Sequence, residues 1–238
     1  MKAGCIYYTD FHVDYNIMKI CQKRLQESFD GEIVSVSLNR SLDFGKNIIL
    51  NENRGNITMF KQILLALKNS TADYIFFCEH DVLYNKSHFD FVPGNNDIFY
   101  YNTNVWQWIF PKDLAITYDN LKSVSSLCVN KEFAIDHYEK RLKLIREKGW
   151  QDNERYPYWV RRMGYEPGVK SKRQELIKTN GYDTWHSKYP NIDIRHTKTL
   201  TPIKSSLKHF KHKPENWRQD KISKICPYII KFNHIIKN

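Results

Sequence analysis

The chain has 238 residues, 41% hydrophobic and 14% aromatic, with a formal net charge of +11. That composition supports a substantial core and excludes a disordered or fibrous chain, and no apolar run approaches the ~20 residues of a membrane-spanning helix. The charge is uneven: residues 1–138 carry 13 Lys+Arg against 16 Asp+Glu, a net of −3, and residues 139–238 carry 24 against 10, a net of +14. Such asymmetry calls for an anionic partner, a membrane surface, a nucleic acid or a phosphorylated substrate, or else a solvated basic surface.

Ala3 to Tyr8 reads as a short apolar strand that opens into the polar loop Thr9-Asp10-Phe11-His12. Val13 to Phe29 has Ile17, Ile20, Cys21 and Leu25 at helical spacing, and Asp30-Gly31 stops it. Glu32 to Leu38 alternates as a strand, Asn47 to Leu50 reads as another, and Ile57 to Lys68 is a helix with Phe60, Ile63, Leu64 and Leu67 on one face. A further strand begins at Tyr74. The order β-α-β-β-α-β predicts a mostly parallel sheet flanked by helices. Later strands are expected at Asp97–Asn102, Leu114–Tyr118 and Asn191–Arg195, with a long charged helix over Lys131–Lys148.

The most informative stretch is Tyr74-Ile-Phe-Phe-Cys-Glu-His-Asp81. An apolar strand runs into two acids one residue apart, and alternation along an extended backbone would point Glu79 and Asp81 the same way, with His80 facing away. Open α/β sheets place ligand chemistry at the carboxyl ends of their strands. A surface turn after a core strand fits the same spacing.

With strand, loop, helix and acid pair in this order, residues 3–200 resemble GT-A-fold glycosyltransferases, closest in layout to the family 2-like ones. Glu79-His80-Asp81 stands where that fold has its Asp-x-Asp motif, with Glu for the first Asp. Asn53-Arg54-Gly55 and Lys61-Gln62 stand near its Asn-x-Gly loop and Arg-Asn pair. Phe99-Tyr-Tyr-Asn102, Ser126-Leu-Cys128, Gly164-Tyr-Glu-Pro-Gly168 and Asp193-Ile-Arg-His196 look like a bacterial or phage subgroup. The resemblance implies a nucleotide-sugar-binding half over 1–102, an acceptor-side half over 103–200, and a basic amphipathic extension over 201–238.

It further implies transfer of a sugar, with a UDP-sugar favoured, to a saccharide or lipid-linked acceptor. Mn²⁺ or Mg²⁺ would stabilise the departing diphosphate. The expected metal ligands are Asp81, His196 from the late strand and Glu79, an imidazole favouring Mn²⁺. Thr9, Asp10, Arg54, Lys61, Glu79, His80 and Asp81 make up the expected nucleotide-binding set. Asp10 could instead cap the following helix. Glu166 in its Gly-Tyr-Glu-Pro-Gly turn is the first candidate for deprotonating an acceptor hydroxyl, with Asp152 and Glu154 next. Trp106, Trp108, Trp159 and Trp185 are candidates for an acceptor wall, or core.

Lys204 to Lys213 interleaves cations with Leu207 and Phe210, and isoleucines alternate with lysines after Lys221. Such a segment can lie on an anionic membrane or pack on the domain. The basic half also motivates the alternative of a glycosyltransferase acting on a hydroxymethylated base in DNA. A nucleotidyltransferase and a non-enzymatic basic binding module rank lower, the former because no Gly-rich loop follows the first strand. Five scattered cysteines without zinc-ligand spacing, and no secretory apolar segment after Met1, predict reduced core thiols in a cytoplasmic protein.

Overall fold

The structure is a computed structural model and describes residues 1–119, 121–151, 181–199 and 203–227. Its centre is a seven-stranded sheet. In chain order its strands are β1 (Ala3–Thr9), β2 (Glu32–Leu38), β3 (Lys46–Leu50), β4 (Tyr74–Glu79), β6 (Phe99–Asn102), β9 (Leu127–Asn130) and β10 (Tyr182–Trp185). Across the sheet they run β10-β6-β9-β4-β1-β2-β3. β1 pairs in parallel with β2 and β4, β2 with β3, and β6 with β10; β9 alone in this sheet is antiparallel to its neighbours. This is the mostly parallel, helix-flanked α/β sheet that the residue pattern predicts.

Alternation explains how the sheet is covered on both faces. Cys5 and Tyr7 of β1, with Phe76 and Cys78 of β4, share a core with Ile17, Met18, Cys21 and Leu25 of helix α1 (Tyr15–Ser28). Ile6 and Tyr8, with Ile75 and Phe77, share the opposite core with Phe60, Ile63 and Leu67 of α2 (Asn56–Asn69) and Tyr138 of α3 (Lys131–Lys148). The cap of α1 is Asp14, whose carboxylate accepts the N–H groups of Asn16 and Ile17, so Asp10 is not the cap. The chain turns away at Gly31, where an added Cβ would lie 2.4 Å from the Phe29 ring.

A second sheet runs β12-β8-β7-β11-β5, built from β5 (Val82–Leu83), β7 (Val105–Ile109), β8 (Ala115–Thr117), β11 (Asn191–Arg195) and β12 (Arg218–Asp220). Val82, Leu83, Trp108, Ala115, Ile192 and Ile194 join the core on the α1 side. Part of the stretch expected as a C-terminal extension belongs to this sheet: β12 pairs with β8, and Ile222 and Cys226 are buried. Lys204–Lys213 is not an amphipathic helix. Only Leu207–His209 forms a short 3₁₀ turn, and Phe210 packs edge-on against Tyr118 and Trp217. All five cysteines are buried and unbridged. No helix among the described residues is long and apolar enough to cross a membrane.

Trp108 is fully buried, its indole N–H donating to the Lys112 carbonyl at 2.7 Å, and the partly buried Trp185 stacks on Phe91 at 4.3 Å against the edge of the core. Trp108 therefore cannot line an acceptor wall. Trp159 lies outside the described residues.

Candidate active site at the strand ends

β1, β2 and β4 all end on one side of the sheet, and a cavity of about 280 Å³ opens there. Tyr8, Thr9 and Asp10 enter it from β1, Leu38 from β2, and Glu79, His80 and Asp81 from β4 and the turn after it. Gly55, Asn56, Met59 and Gln62 form a wall from the start of α2. Gly55 gives that helix no side-chain cap, so the positive end of its dipole faces the cavity. Arg195, at the end of β11, closes the far side with Lys198 and Thr199.

The acid pair departs from the extended geometry its spacing predicts. β4 ends at Glu79, and His80–Asp81 is a turn. The last pairing of β1 with β4 is Tyr8 to Glu79, so nothing holds the backbone extended beyond it. Glu79 accepts a hydrogen bond from the Tyr8 hydroxyl at 2.6 Å. Asp81 faces His196 instead, with Oδ2 3.5 Å from Nε2. The turn also brings His80 into the cavity rather than away from it. Its Nδ1 shares a 2.7 Å hydrogen bond with the Thr9 hydroxyl, which also accepts the Phe11 N–H at 3.0 Å.

The carboxyl groups are driven apart electrostatically. Burial, then repulsion from Asp81, pushes Glu79 up to about 8, against the lowering effect of the Tyr8 hydroxyl. Burial would raise Asp81 too, but His196, His80 and Arg195 together hold it below its ordinary value. Asp81 is therefore the ionised member and Glu79 the neutral one at pH 7. Burial holds His80 below its usual range. Asp10 stays low despite burial, because the His12 N–H and Arg54 Nε each donate to it at 2.8 Å and His80 lies close by.

The cation test turns on Asp81 and His196. His196 is 5% exposed, and its Nε2 has no hydrogen-bond partner; at 3.5 Å it faces Asp81 as a close electrostatic pair rather than a well-formed bond. A buried nitrogen left in this state beside an ionised carboxylate suits a shared divalent ion. Its Nδ1 accepts the Lys198 N–H at 3.3 Å, which in a neutral ring puts the proton on Nε2 facing Asp81, so an ion at Nε2 requires the opposite tautomer. No cluster of three His, Cys, Asp or Glu donors exists among the described residues. Two protein donors suffice where a diphosphate and water complete the shell, as for Mg²⁺.

Other expected residues fall differently. Lys61 points away from the cavity, bound by both Glu52 oxygens at 2.8 Å, in a groove between α2 and α3. Gln62 takes the place at the site, its amide donating to the Thr9 and Val36 carbonyls at 3.0 Å each. Helical geometry makes the two side chains diverge by ~100°, so only one of such a pair can face the sheet. Glu166, Asp152 and Glu154 lie outside the described residues. The residue reading missed Arg195, Asp193 and Lys198 as site groups; the β11 strand pattern placed Arg195 directly before His196, which was the available signal.

No family model matches the chain, and no curated protein resembles it in sequence. Among solved structures, a glycosyltransferase involved in glycosylation of the major capsid of PBCV-1 is similar over 78% of this chain and 82% of its own, with 12% identity and a TM-score of 0.45. The glycosyltransferase GlyE of Streptococcus pneumoniae TIGR4 matches 78% of this chain and 45% of its own, at 8% identity and a TM-score of 0.45. The bifunctional IspDF of Campylobacter jejuni matches 60% of this chain and 44% of its own, at 12% identity and a TM-score of 0.41. The chain thus spans less than half the length of the last two. Likeness at this level says nothing of chemistry, which has to be read from the cavity.

Proposed function

We propose that this chain is a glycosyltransferase that moves a sugar from a nucleotide-sugar to a hydroxyl of a saccharide or lipid-linked acceptor, with a divalent cation held by Asp81 and His196. One observation carries this reading. The ionised carboxylate of Asp81, on the wall of a cavity at the carboxyl ends of parallel strands, lies 3.5 Å from a buried imidazole nitrogen of His196 behind it that lacks a well-formed hydrogen bond. When bound, Mn²⁺ or Mg²⁺ would act as a Lewis acid towards the departing diphosphate.

The rest of the cavity suits the same ligand. The start of α2 offers its positive end to phosphate. Arg54, fixed on Asp10, and Lys198 add positive charge around the opening. Thr9, Asp10 and Leu38, at the ends of β1 and β2, leave room for a nucleoside. Tyr8 fixes the orientation of Glu79, and Glu79, kept neutral by burial and by Asp81, can donate a hydrogen bond to a ribose or phosphate oxygen.

The test is a panel of nucleotide-sugars, UDP-sugars first, followed for release of nucleoside diphosphate with and without Mn²⁺. Cation-dependent release from at least one donor is expected, and Asp81→Asn or excess chelator should abolish it. Full turnover in that variant or in chelator would remove the cation site from the proposal. No release from any donor would remove the transferase.

A further inference from the structure

The cavity holds a second arrangement that the cation pair does not explain. Asp193 and Arg195 sit two residues apart on β11, so alternation puts both on one face, while Ile192 and Ile194 enter the core on the other. Both polar side chains are nearly buried, at 10% and 11% exposed. Arg195 Nη1 lies 3.4 Å from Asp193 Oδ2. The same oxygen accepts the Gln107 amide at 3.2 Å, from the residue that β7 places opposite Asp193 in the pairing register. Arg195 then reaches the cavity wall beside Glu79, His80 and Asp81.

A guanidinium is costly to bury, and an ion pair deep in a fold is poor evidence of stabilisation. Here the cost falls at the edge of a cavity that already holds an ionised carboxylate. Arg54 differs: its side chain is 43% exposed, and its Nε is engaged by Asp10 at the outer rim. Arg195 is therefore the cation set deepest beside Asp81. Its planar fork matches the spacing of phosphate oxygens, which a lysine's point charge does not.

We propose that Arg195 contacts the diphosphate of the donor directly, independently of the divalent cation, and that Asp193, steadied by Gln107, is the residue that positions it. The proposal rests on the nucleotide-sugar reading and deepens it. The diphosphate would meet two separate positive groups: the ion at Asp81 and His196, and the guanidinium from β11. Loss of the ion should weaken diphosphate binding and leave the Arg195 contribution in place.

The experiment measures affinity for UDP, inorganic pyrophosphate and uridine by calorimetry, with Mn²⁺ and with chelator. It compares the wild type with Arg195→Ala, Arg195→Lys, Asp193→Asn and the Asp193→Asn/Arg195→Ala double variant, each checked for native near-UV dichroism. Arg195→Ala should weaken UDP and pyrophosphate binding about 10- to 100-fold in both conditions, the range for lost charge-assisted bonds. Uridine affinity should stay unchanged. Arg195→Lys should fall between the two. Asp193→Asn should weaken diphosphate binding several-fold alone and add nothing in the Arg195→Ala background, because a positioning residue acts only through what it positions.

Unchanged diphosphate affinity in both Arg195 variants would overturn the inference, as would an equal loss of uridine binding. Additive effects in the double variant would overturn the positioning role. A wild type that binds uridine diphosphate and pyrophosphate, with variants that do not differ from it, defeats this inference alone. A wild type that binds neither defeats the nucleotide-sugar reading as well.

Discussion

Replacing Glu79 with Gln should flatten the dependence of stability on pH, by an amount that follows from the folded geometry. In the folded protein Glu79 is raised from 4.5 to about 8, first by burial and then by Asp81. The folded state therefore holds a proton that the unfolded chain gives up near its ordinary value. A group raised in this way contributes fully below about pH 4.5, and its contribution is lost as pH rises through about 8. At 1.36 kcal/mol per unit, that shift amounts to an upper bound of about 5 kcal/mol, of which about 3.5 falls between pH 5 and pH 8. Gln keeps an oxygen for the Tyr8 hydroxyl and has nothing to titrate. The assay is urea unfolding of both proteins from pH 5 to pH 9 with chelator present. Glu79→Gln should gain on the wild type by up to about 4 kcal/mol across that range. Asp193, also raised, to about 6, is present in both proteins, and its repulsion with Glu79 is part of the difference measured. A stability difference that stays flat from pH 5 to pH 8 would refute the claim that the fold holds Glu79 neutral.

Trp108→Ala should lower stability by about 3–5 kcal/mol in the urea midpoint, because the ring is fully buried and its N–H is satisfied. Lost acceptor affinity at unchanged stability would return Trp108 to the acceptor side. Lys61→Ala should leave UDP affinity within about twofold, since its ammonium is spent on Glu52. Gln62→Leu should cost about 2–3 kcal/mol of stability and weaken UDP binding, because the Thr9 and Val36 carbonyls lose their donor. Saturating Mn²⁺ should raise the melting temperature of the wild type and not of Asp81→Asn, with about 2.7 kcal/mol gained at a hundredfold excess over Kd. An equal shift in both proteins places the ion elsewhere.

The first half of the fold was legible because its signals are local. β1, α1, β2, β3, α2 and β4 each carry their own period, although β4 crosses back to lie beside β1 rather than β3. β7, β9, β10 and β12 were not legible. They are three to five residues long, and apart from the pairing of β7 with the nearby β8 their partners lie far away in sequence, as Phe76 of β4 meets Cys128 of β9. A segment of that length carries no mark of which strand it will join. The same reason explains the acid pair. Alternation put Glu79 and Asp81 on one side and His80 on the other; both acids line the cavity, but His80 joins them because the pairing of β1 with β4 stops at Tyr8 and Glu79. Where a strand ends depends on its neighbour's length, which its own residues do not encode.

The chemistry was legible as residue types but not as partners. Asp81 and His196 could be picked out singly; that they meet depends on a joint between the two sheets. After the turn, Val82 and Leu83 pair antiparallel with Asp193 and Ile192, and the Ile194 N–H donates to the Asp81 carbonyl at 2.8 Å. Those bonds tie the end of the large sheet to β11, and β11 in turn delivers Asp193, Arg195 and His196 from one strand end. One two-residue strand thus brings together the carboxylate from the turn after β4, the imidazole behind it and the guanidinium on the cavity wall. The cation pair is split across that joint, and the arginine reaches Asp81 only through it. A change that loosens β5 without touching any site residue should therefore weaken both together, whereas changes at Asp81 or Arg195 should weaken them one at a time.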